Sequence, residues 1–312
     1  MLRVFKTEVD ALAEGVPAFT ASLLAAKHSH HLDKRITFVE ATHTYAVQFG
    51  AEQAFETSGI LSVSGLVHQF FPAFDPDACV QKVLKSKNAG TKRKYKDMDA
   101  SDIKAQWATS GAKASARGTF FHELLENDMN GYALPASPYQ RLVPVRQYLR
   151  WKDQHFTGQY EPYRTEFRMV TNEQTRVTGT ADLLAVNLQS FHALAPDDDT
   201  LPLTLMDWKF SKGIKWSNTF ENGSGPCHLL PNCNGYHYQI QQNMYASIIE
   251  AYPGPWTFRG RTFQAVSIEA MFLVVFSEGA EHAQQVLLER DTSLVERMLK
   301  TRHGVKDADA PC

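Results

Sequence analysis

The residues Asp207 and Lys209 stand two positions apart, directly after the apolar pair Leu205 and Met206. If this stretch is a β-strand, its side-chain period of two places the carboxylate and the ammonium group on one face. This pair suits phosphodiester hydrolysis, in which the carboxylate holds a divalent ion and the ammonium group orients water or offsets phosphate charge. The alternative is a solvated surface ion pair, so the interpretation depends on the neighbouring elements.

A helix is predicted over residues 119–130, with Thr119 as its cap. Its apolar stripe places His122 and Glu126 one turn apart on an adjoining face. A single helical histidine is more often a satisfied core or surface residue than a metal ligand. His122 therefore needs partners before it counts as part of a site.

Asp182 is a possible partner, because it interrupts an apolar strand that contains Ala181 and Leu183. A carboxylate in such surroundings is costly unless a cation or hydrogen bonds compensate it. The alternative is an Asp that bonds a turn after Gly179. If Asp207 lies on the next strand, the two carboxylates converge on one divalent ion, and oxygen ligands favour Mg²⁺ or Mn²⁺.

Two further elements complete the candidate site. The alternating stretch 163–170 predicts a strand with Glu166 and Arg168 on one face. A helix predicted from about Tyr236 to Ala251 places Gln241 and Tyr245 on one face at i, i+4 spacing. The alternative for this last pair is two amphipathic surface residues.

The four motifs together, in this order, resemble the PD-(D/E)XK nuclease superfamily. They are Gly-Thr-x-x-His on a helix, Gly-x-x-Asp on a strand, Asp-x-Lys on the next strand and Gln-x-x-x-Tyr on the following helix. The match covers roughly residues 105–250 and is similar to the RecB-like exonuclease branch, with features of its viral and phage members. The resemblance implies an α/β fold in which helices flank a central mixed β-sheet, the restriction-endonuclease-like core.

The resemblance also implies a role for each matching residue. Lys209 would be the catalytic lysine, and Gln241 with Tyr245 would organise the site and position DNA. The ligands of one or two Mg²⁺ or Mn²⁺ ions would be Asp182, Asp207, His122, Glu166 and the Trp208 backbone carbonyl. Water attack at the scissile phosphate would leave a 5′-phosphate.

Other cofactors of the family's relatives are not expected. The four cysteines, Cys79, Cys227, Cys233 and Cys312, lack the spacing that holds an iron–sulfur cluster or a structural zinc ion. The chain also lacks the Gly-x-x-x-x-Gly-Lys-Ser/Thr loop of an ATP-driven motor.

A basic run is the densest cluster of positive charge in the chain. The formal net charge is −2, so a nucleic acid would need such a local surface. The alternative is a solvated, mobile loop. The residues assigned to DNA binding are Lys85, Lys87, Lys92, Arg93, Lys94 and Lys96, within a run over 82–96.

The chain of 312 residues is 43% hydrophobic and 21% charged, which is typical of a globular protein. We expect a mostly helical N-terminal extension over 1–104, with a short hairpin over 36–47, and a nuclease core over 105–312. The cluster of histidines at 28–31 could bind a metal, but a solvated loop is the favoured interpretation. The apolar stretch 270–276 is too short to span a bilayer and predicts a buried strand.

These observations predict an intracellular, metal-dependent deoxyribonuclease, with exonuclease action favoured on family grounds and with roles in DNA replication, repair or recombination. Replication or recombination proteins would be its partners. The alternatives are a catalytically silent nucleic-acid-binding factor on the same fold and an unrelated metalloenzyme that uses His122 with the carboxylates.

Overall fold

A computed structural model describes residues 22–39, 42–134 and 142–304 of the chain as a mixed β-sheet flanked by helices. The strands are β1 (Ile36–Val39), β2 (Thr44–Val47), β3 (Leu61–Ser62), β4 (Tyr160–Val170), β5 (Val177–Asn187), β6 (Thr200–Phe210), β7 (Trp256–Phe258), β8 (Arg261–Phe263), β9 (Ala265–Phe276) and β10 (Gln284–Leu287). The α-helices are α1 (Leu23–Lys27), α2 (Val63–Gln69), α3 (Pro76–Leu84), α4 (Ala89–Lys94), α5 (Ala100–Met129), α6 (Val143–Trp151), α7 (Leu188–His192), α8 (Asn234–Glu250) and α9 (Thr292–Gly304).

The central sheet is mixed, as predicted. Strand β5 pairs antiparallel with β4 and β6, and β6 pairs parallel with β9, which pairs antiparallel with β10. The short strand β3 adds a parallel pairing at the start of β5, so a segment of the N-terminal extension belongs to the sheet. Strands β1 and β2 form the predicted antiparallel hairpin.

Two hydrophobic cores cover the two faces of the sheet. One lies under α2, α8 and α9, and the other lies under α5 and α6. Along β5, Leu184 packs into the first core and Leu183 into the second, as strand alternation requires. Ala181 nevertheless packs with Leu184, so the alternation is interrupted at Asp182.

The longest helix, α5, is capped by Asp99, whose side chain accepts from the Asp102 backbone N–H in a capping box. It runs unbroken through Thr119, so the prediction that Thr119 caps a separate helix is wrong. The helix also runs across the predicted boundary between residues 104 and 105. Asn88 caps α4, and its side chain accepts from the Thr91 backbone N–H.

The N-terminal segment is anchored by buried polar contacts. Arg164 on β4 forms an ion pair with Asp33 and donates to the His28 carbonyl oxygen at 2.9 Å. His28 and His30 are buried, and their ring nitrogens bond the backbone oxygens of Thr257 and Pro253. The expectation of a solvated histidine loop is therefore wrong, and burial lowers the pKa of both rings.

Several elements were not predicted from the sequence. They are α6 with the π-helical turn Lys152–Phe156 after it, the short helix α7, and the hairpin of β7 and β8. Within the described ranges, none of the helices is long and apolar enough to cross a membrane.

Candidate functional site

A histidine and two carboxylates meet where α5 crosses the neighbouring strands β4 and β5. The ligand atoms of His122, Glu166 and Asp182 all lie within 4.8 Å of one another. The three side chains are partly exposed, so small ions can reach them. One imidazole nitrogen and two carboxylate oxygens form a donor set that suits a divalent cation such as Mn²⁺ or Mg²⁺.

The end of a strand pairing creates the place for Asp182. The ladder between β5 and β6 reaches Leu183 and Met206 and stops there. Asp182, the next residue of β5 beyond this last pair, accepts through its Oδ2 from the Trp208 backbone N–H at 2.8 Å. A side chain thus replaces the missing ladder bond and fixes the carboxylate beside the site.

His122 contacts both partners of this bond. Its Nε2 lies 3.1 Å from the Trp208 carbonyl oxygen, which can only accept, so Nε2 carries the proton. In the neutral ring Nδ1 then presents a lone pair toward Asp182 Oδ2, 3.6 Å away. Two acceptors that face each other favour a cation between them. The Trp208 carbonyl, assigned from sequence as a ligand, is engaged with His122.

Glu166 reaches the site through an unusual backbone conformation. The β4–β5 register places it opposite Asp182, between the pairs of Thr165 with Leu183 and Phe167 with Ala181. Its φ of 44° lies in the left-handed region, which is disfavoured for a residue with a long side chain. Such strain persists where the surrounding structure imposes it, and it is concentrated at functional sites.

Asp207 and Lys209 share one face of β6, as their spacing predicts. Lys209 Nζ lies 2.6 Å from Asp207 Oδ2 and 4.7 Å from the centroid of the Tyr238 ring. The other carboxylate oxygen of Asp207 accepts from Gln242 Nε2 at 2.8 Å. Asp207 is 2% exposed, so a hydrogen bond from Gln242 and the ion pair with Lys209 hold its two oxygens in a buried setting.

The charges in this network affect each other. Burial and the nearby Asp182 carboxylate raise the pKa of Asp207 to about 6, against the opposing effect of Lys209. Burial alone would lower the pKa of the Lys209 ammonium group, but Asp207 and Asp182 outweigh it and raise that pKa above its usual value. Lys209 therefore stays charged.

The helix α8 brings three polar side chains to the site, of which the sequence identified two. Gln241 donates to the Tyr245 hydroxyl at 3.1 Å, so these two residues pair with each other. The residue that contacts Asp207 is their neighbour Gln242, whose Oε1 is buried without a hydrogen-bond partner among the described residues. Asp207 and Gln242 are 35 positions apart, so no local sequence pattern indicates that they are in contact.

Tyr245 packs against the backbone of β5. A Cβ at Gly179 would lie 2.4 Å from Tyr245 Cε1, so only glycine lets the ring lie there. Burial raises the pKa of Tyr245 well above its usual value, and the hydroxyl remains protonated. Gly179 in the strand motif thus has a steric role.

Glu126 is a further ionisable group near the site. It lies one turn after His122, and its carboxylate accepts from Thr165 Oγ1 at 3.5 Å. Burial raises the pKa of Glu126 from its usual 4.5 to about 7, and the charges of Glu123 and Asp182 add to this effect. Its carboxyl group can therefore take up or release a proton near neutral pH.

The substitution Glu126→Gln is expected to stabilise the protein at alkaline pH. With a raised folded-state pKa, stability from the protonated carboxyl is fully present below pH 4.5 and is lost as pH rises through 7. Urea unfolding with EDTA at about pH 8 should show a gain of roughly 1–2 kcal/mol, after allowance for partial exposure. At about pH 5 the gain should be smaller, and an equal gain at both pH values would contradict this account.

The predicted DNA-binding cations lie apart from the carboxylates, in the segment from the end of α3 to the residues after α4. All of them are exposed, and they are Lys85, Lys87, Lys92, Arg93, Lys94 and Lys96.

Comparisons with known proteins do not assign a family. No family model matches the chain, and no curated protein matches it. A solved structure described as "Crystal structure of SSO0001" is similar at 13% identity and a TM-score of 0.30, over 82% of this chain and 80% of that chain. A similarity of this size carries no functional argument, so the case for a function rests on the residues of the site.

Proposed function

We propose that this protein is a divalent-metal-dependent deoxyribonuclease of the PD-(D/E)XK type, close to the RecB-like exonucleases. It would hydrolyse phosphodiester bonds, with water attacking phosphorus and the bond to the 3′ oxygen breaking. The products would be a 5′-phosphate and a 3′-hydroxyl. Exonuclease action, and partners in replication or recombination, belong to the same proposal.

The observation that carries the proposal is the convergence of four separate motifs around the point where the pairing of β5 with β6 stops. The ligand atoms of His122, Glu166 and Asp182 lie within 4.8 Å of one another. The next strand contributes Asp207 and the charged Lys209. If Asp207 and Lys209 formed only a surface ion pair, they would need neither His122 nor the Asp182 carboxylate on the neighbouring strand.

His122, Glu166 and Asp182 would hold the cation, with Asp207 adjoining them. When bound, the cation supplies positive charge that offsets the phosphate and makes an attacking water more acidic. The Trp208 backbone N–H orients the Asp182 carboxylate, and the Trp208 carbonyl oxygen orients the His122 ring through its Nε2–H. Preorganised groups of this kind need no rearrangement as charge develops.

Lys209 provides the charge that acts on the substrate. Its ammonium group is held by Asp207 and by the face of the Tyr238 ring, so its position is fixed. Because its pKa is raised, it acts as a cation and hydrogen-bond donor and not as a base. It can orient the attacking water or stabilise charge on the phosphate oxygens.

The test is a gel assay with end-labelled single- and double-stranded DNA, blocked at one end or at the other, in EDTA, Mg²⁺ or Mn²⁺. We expect cleavage only with metal, and products with 5′-phosphates. Since His122 contributes a nitrogen ligand, Mn²⁺ should support half-maximal activity at a lower concentration than Mg²⁺.

Asp182→Asn is the variant that tests the site. It keeps the size of the side chain and an acceptor for Trp208 while it removes charge from the site. It should lose metal-dependent cleavage and keep its far-UV circular dichroism. DNA binding without cleavage in either metal would instead favour a silent nucleic-acid-binding factor. Cleavage that EDTA does not affect would refute the proposal.

A further inference from the structure

Positive charge is concentrated in one part of a chain whose formal net charge is −2. Residues 74–117, called the basic arm here, contain ten Lys and Arg residues and five Asp residues, and no Glu. The arm consists of α3, α4 and the first half of α5. The rest of the molecule is correspondingly acidic.

The cations of the arm face solvent. Within the described parts of the chain, two of the ten cations are each paired with an acid. Lys104 pairs with Asp77, and Arg117 pairs with Glu278. Several of the acids have local structural roles instead, since Asp75 and Asp99 cap α3 and α5. The arm therefore presents net positive charge to any polyanion.

Three aromatic side chains lie among these cations, and they are called the aromatic platform here. Trp107 Nε1 donates to the Tyr95 hydroxyl at 3.0 Å, which ties the end of α4 to α5. The ring of Phe74 meets the Trp107 ring edge-on at a centroid distance of 5.9 Å, and Lys94 Nζ lies 4.9 Å from the centroid of the Tyr95 ring. Phe74 is 69% exposed.

The exposed Phe74 ring leaves apolar surface in contact with water on a surface that attracts polyanions. Bases of a single strand stack on such rings, and each stacked base strengthens binding. In a duplex the base faces are already stacked on each other, so the same rings gain little. The combination of the exposed Phe74 ring, its half-buried aromatic neighbours and the exposed cations thus favours single strands.

From this combination we propose that the aromatic platform and the surrounding cations bind single-stranded nucleic acid. The bases stack on Phe74 and its neighbours, and the phosphates contact exposed cations such as Lys92, Arg93 and Lys94. The inference rests on the proposed nuclease function only in naming the strand that reaches the site, since the binding itself needs no cleavage.

The continuous helix α5 sets the distance from the platform to the site. Trp107 and His122 belong to the same helix and are separated by about 22 Å along its axis. The platform therefore contacts nucleotides far from the scissile bond. Loss of the aromatic platform is expected to raise the KM for single-stranded substrate and to leave the kcat of cleavage unchanged.

The experiment measures binding of a fluorescein-labelled oligothymidylate and of a duplex of the same length, in EDTA so that no cleavage occurs. Wild-type protein should bind the single strand more tightly at matched salt. Phe74→Ala should weaken single-strand binding about 5- to 30-fold and leave duplex binding unchanged.

Phe220→Ala is the matched control, because Phe220 is 88% exposed and lies outside the arm. It should bind like the wild type. A triple substitution of Lys92, Arg93 and Lys94 by Gln should reduce the slope of log K against log salt by about 2.

Equal binding of the oligothymidylate by Phe74→Ala and the wild type would overturn the proposal, as would an equal loss for single strand and duplex. Single-strand binding by a protein that cleaves nothing would leave this inference standing and refute the nuclease. Cleavage together with unchanged Phe74→Ala binding would do the reverse.

Discussion

Lys209→Met is expected to lower kcat for Mg²⁺-dependent DNA cleavage by about a hundredfold to a thousandfold, as for the loss of one preorganised charge donor. The protein should remain folded, because methionine matches the length of the aliphatic chain. Without Lys209, Asp207 loses the cation that opposes its raised pKa of about 6, and its carboxyl group takes up a proton. The buried Asp207 side chain is then neutral, so the substitution leaves no unpaired charge in the protein interior.

Single-turnover cleavage with saturating enzyme measures this effect on the chemical step. The control is Lys212→Met, which removes an exposed lysine three residues further along the chain and should cleave like the wild type. Thermal unfolding of both variants checks their fold. If Lys209→Met cleaves at the wild-type rate, Lys209 has no part in the reaction and the nuclease assignment loses its distinguishing residue.

Asp33→Ala is expected to destabilise the protein by about 3 kcal/mol, since it leaves the buried Arg164 guanidinium without its carboxylate partner. Both Arg164 terminal nitrogens contact Asp33, at 3.0 and 3.2 Å. Asp33 also accepts from the His30 backbone N–H at 2.8 Å, so the substitution frees a backbone donor as well. Urea unfolding followed by circular dichroism measures the loss.

A double-mutant cycle separates the unpaired charge from other effects. Arg164→Met fills the space over the Phe167 ring without a charge, so the Asp33→Ala, Arg164→Met double variant should recover at least half of the lost stability. Lys34→Ala, an exposed neighbour, should change stability little. A double variant as unstable as Asp33→Ala alone would show that the unpaired charge of Arg164 is not the cause of the lost stability.

The sequence predicted those parts of the fold that follow from local periodicity. Alternation predicted β4, and the apolar residues around Asp182 and before Asp207 predicted β5 and β6. The helix predicted from about Tyr236 to Ala251 is α8, in which Ile240, Met244 and Ile248 are buried. The shared face of Asp207 and Lys209 follows from the period of two in a regular strand. These features need only neighbouring residues.

The parts that the sequence did not predict depend on contacts between distant segments. Gln242 reaches Asp207 across 35 positions, and the histidines at 28 and 30 are buried by the hairpin of β7 and β8 and the turn before it. The interrupted alternation at Asp182 and the left-handed backbone of Glu166 also break the periodicity on which a prediction relies.

Because α5 is unbroken, one helix joins the basic arm to the candidate site, and the number of residues between them sets their relative orientation. Each residue of an α-helix turns the chain by about 100° and advances it by about 1.5 Å. A single insertion or deletion between Trp107 and His122 would therefore turn the arm about a quarter of a circle around the helix axis while the core stays packed. The number of residues in this stretch, whose side chains are mostly small and exposed, fixes the angle at which a strand leaves the arm toward the carboxylates.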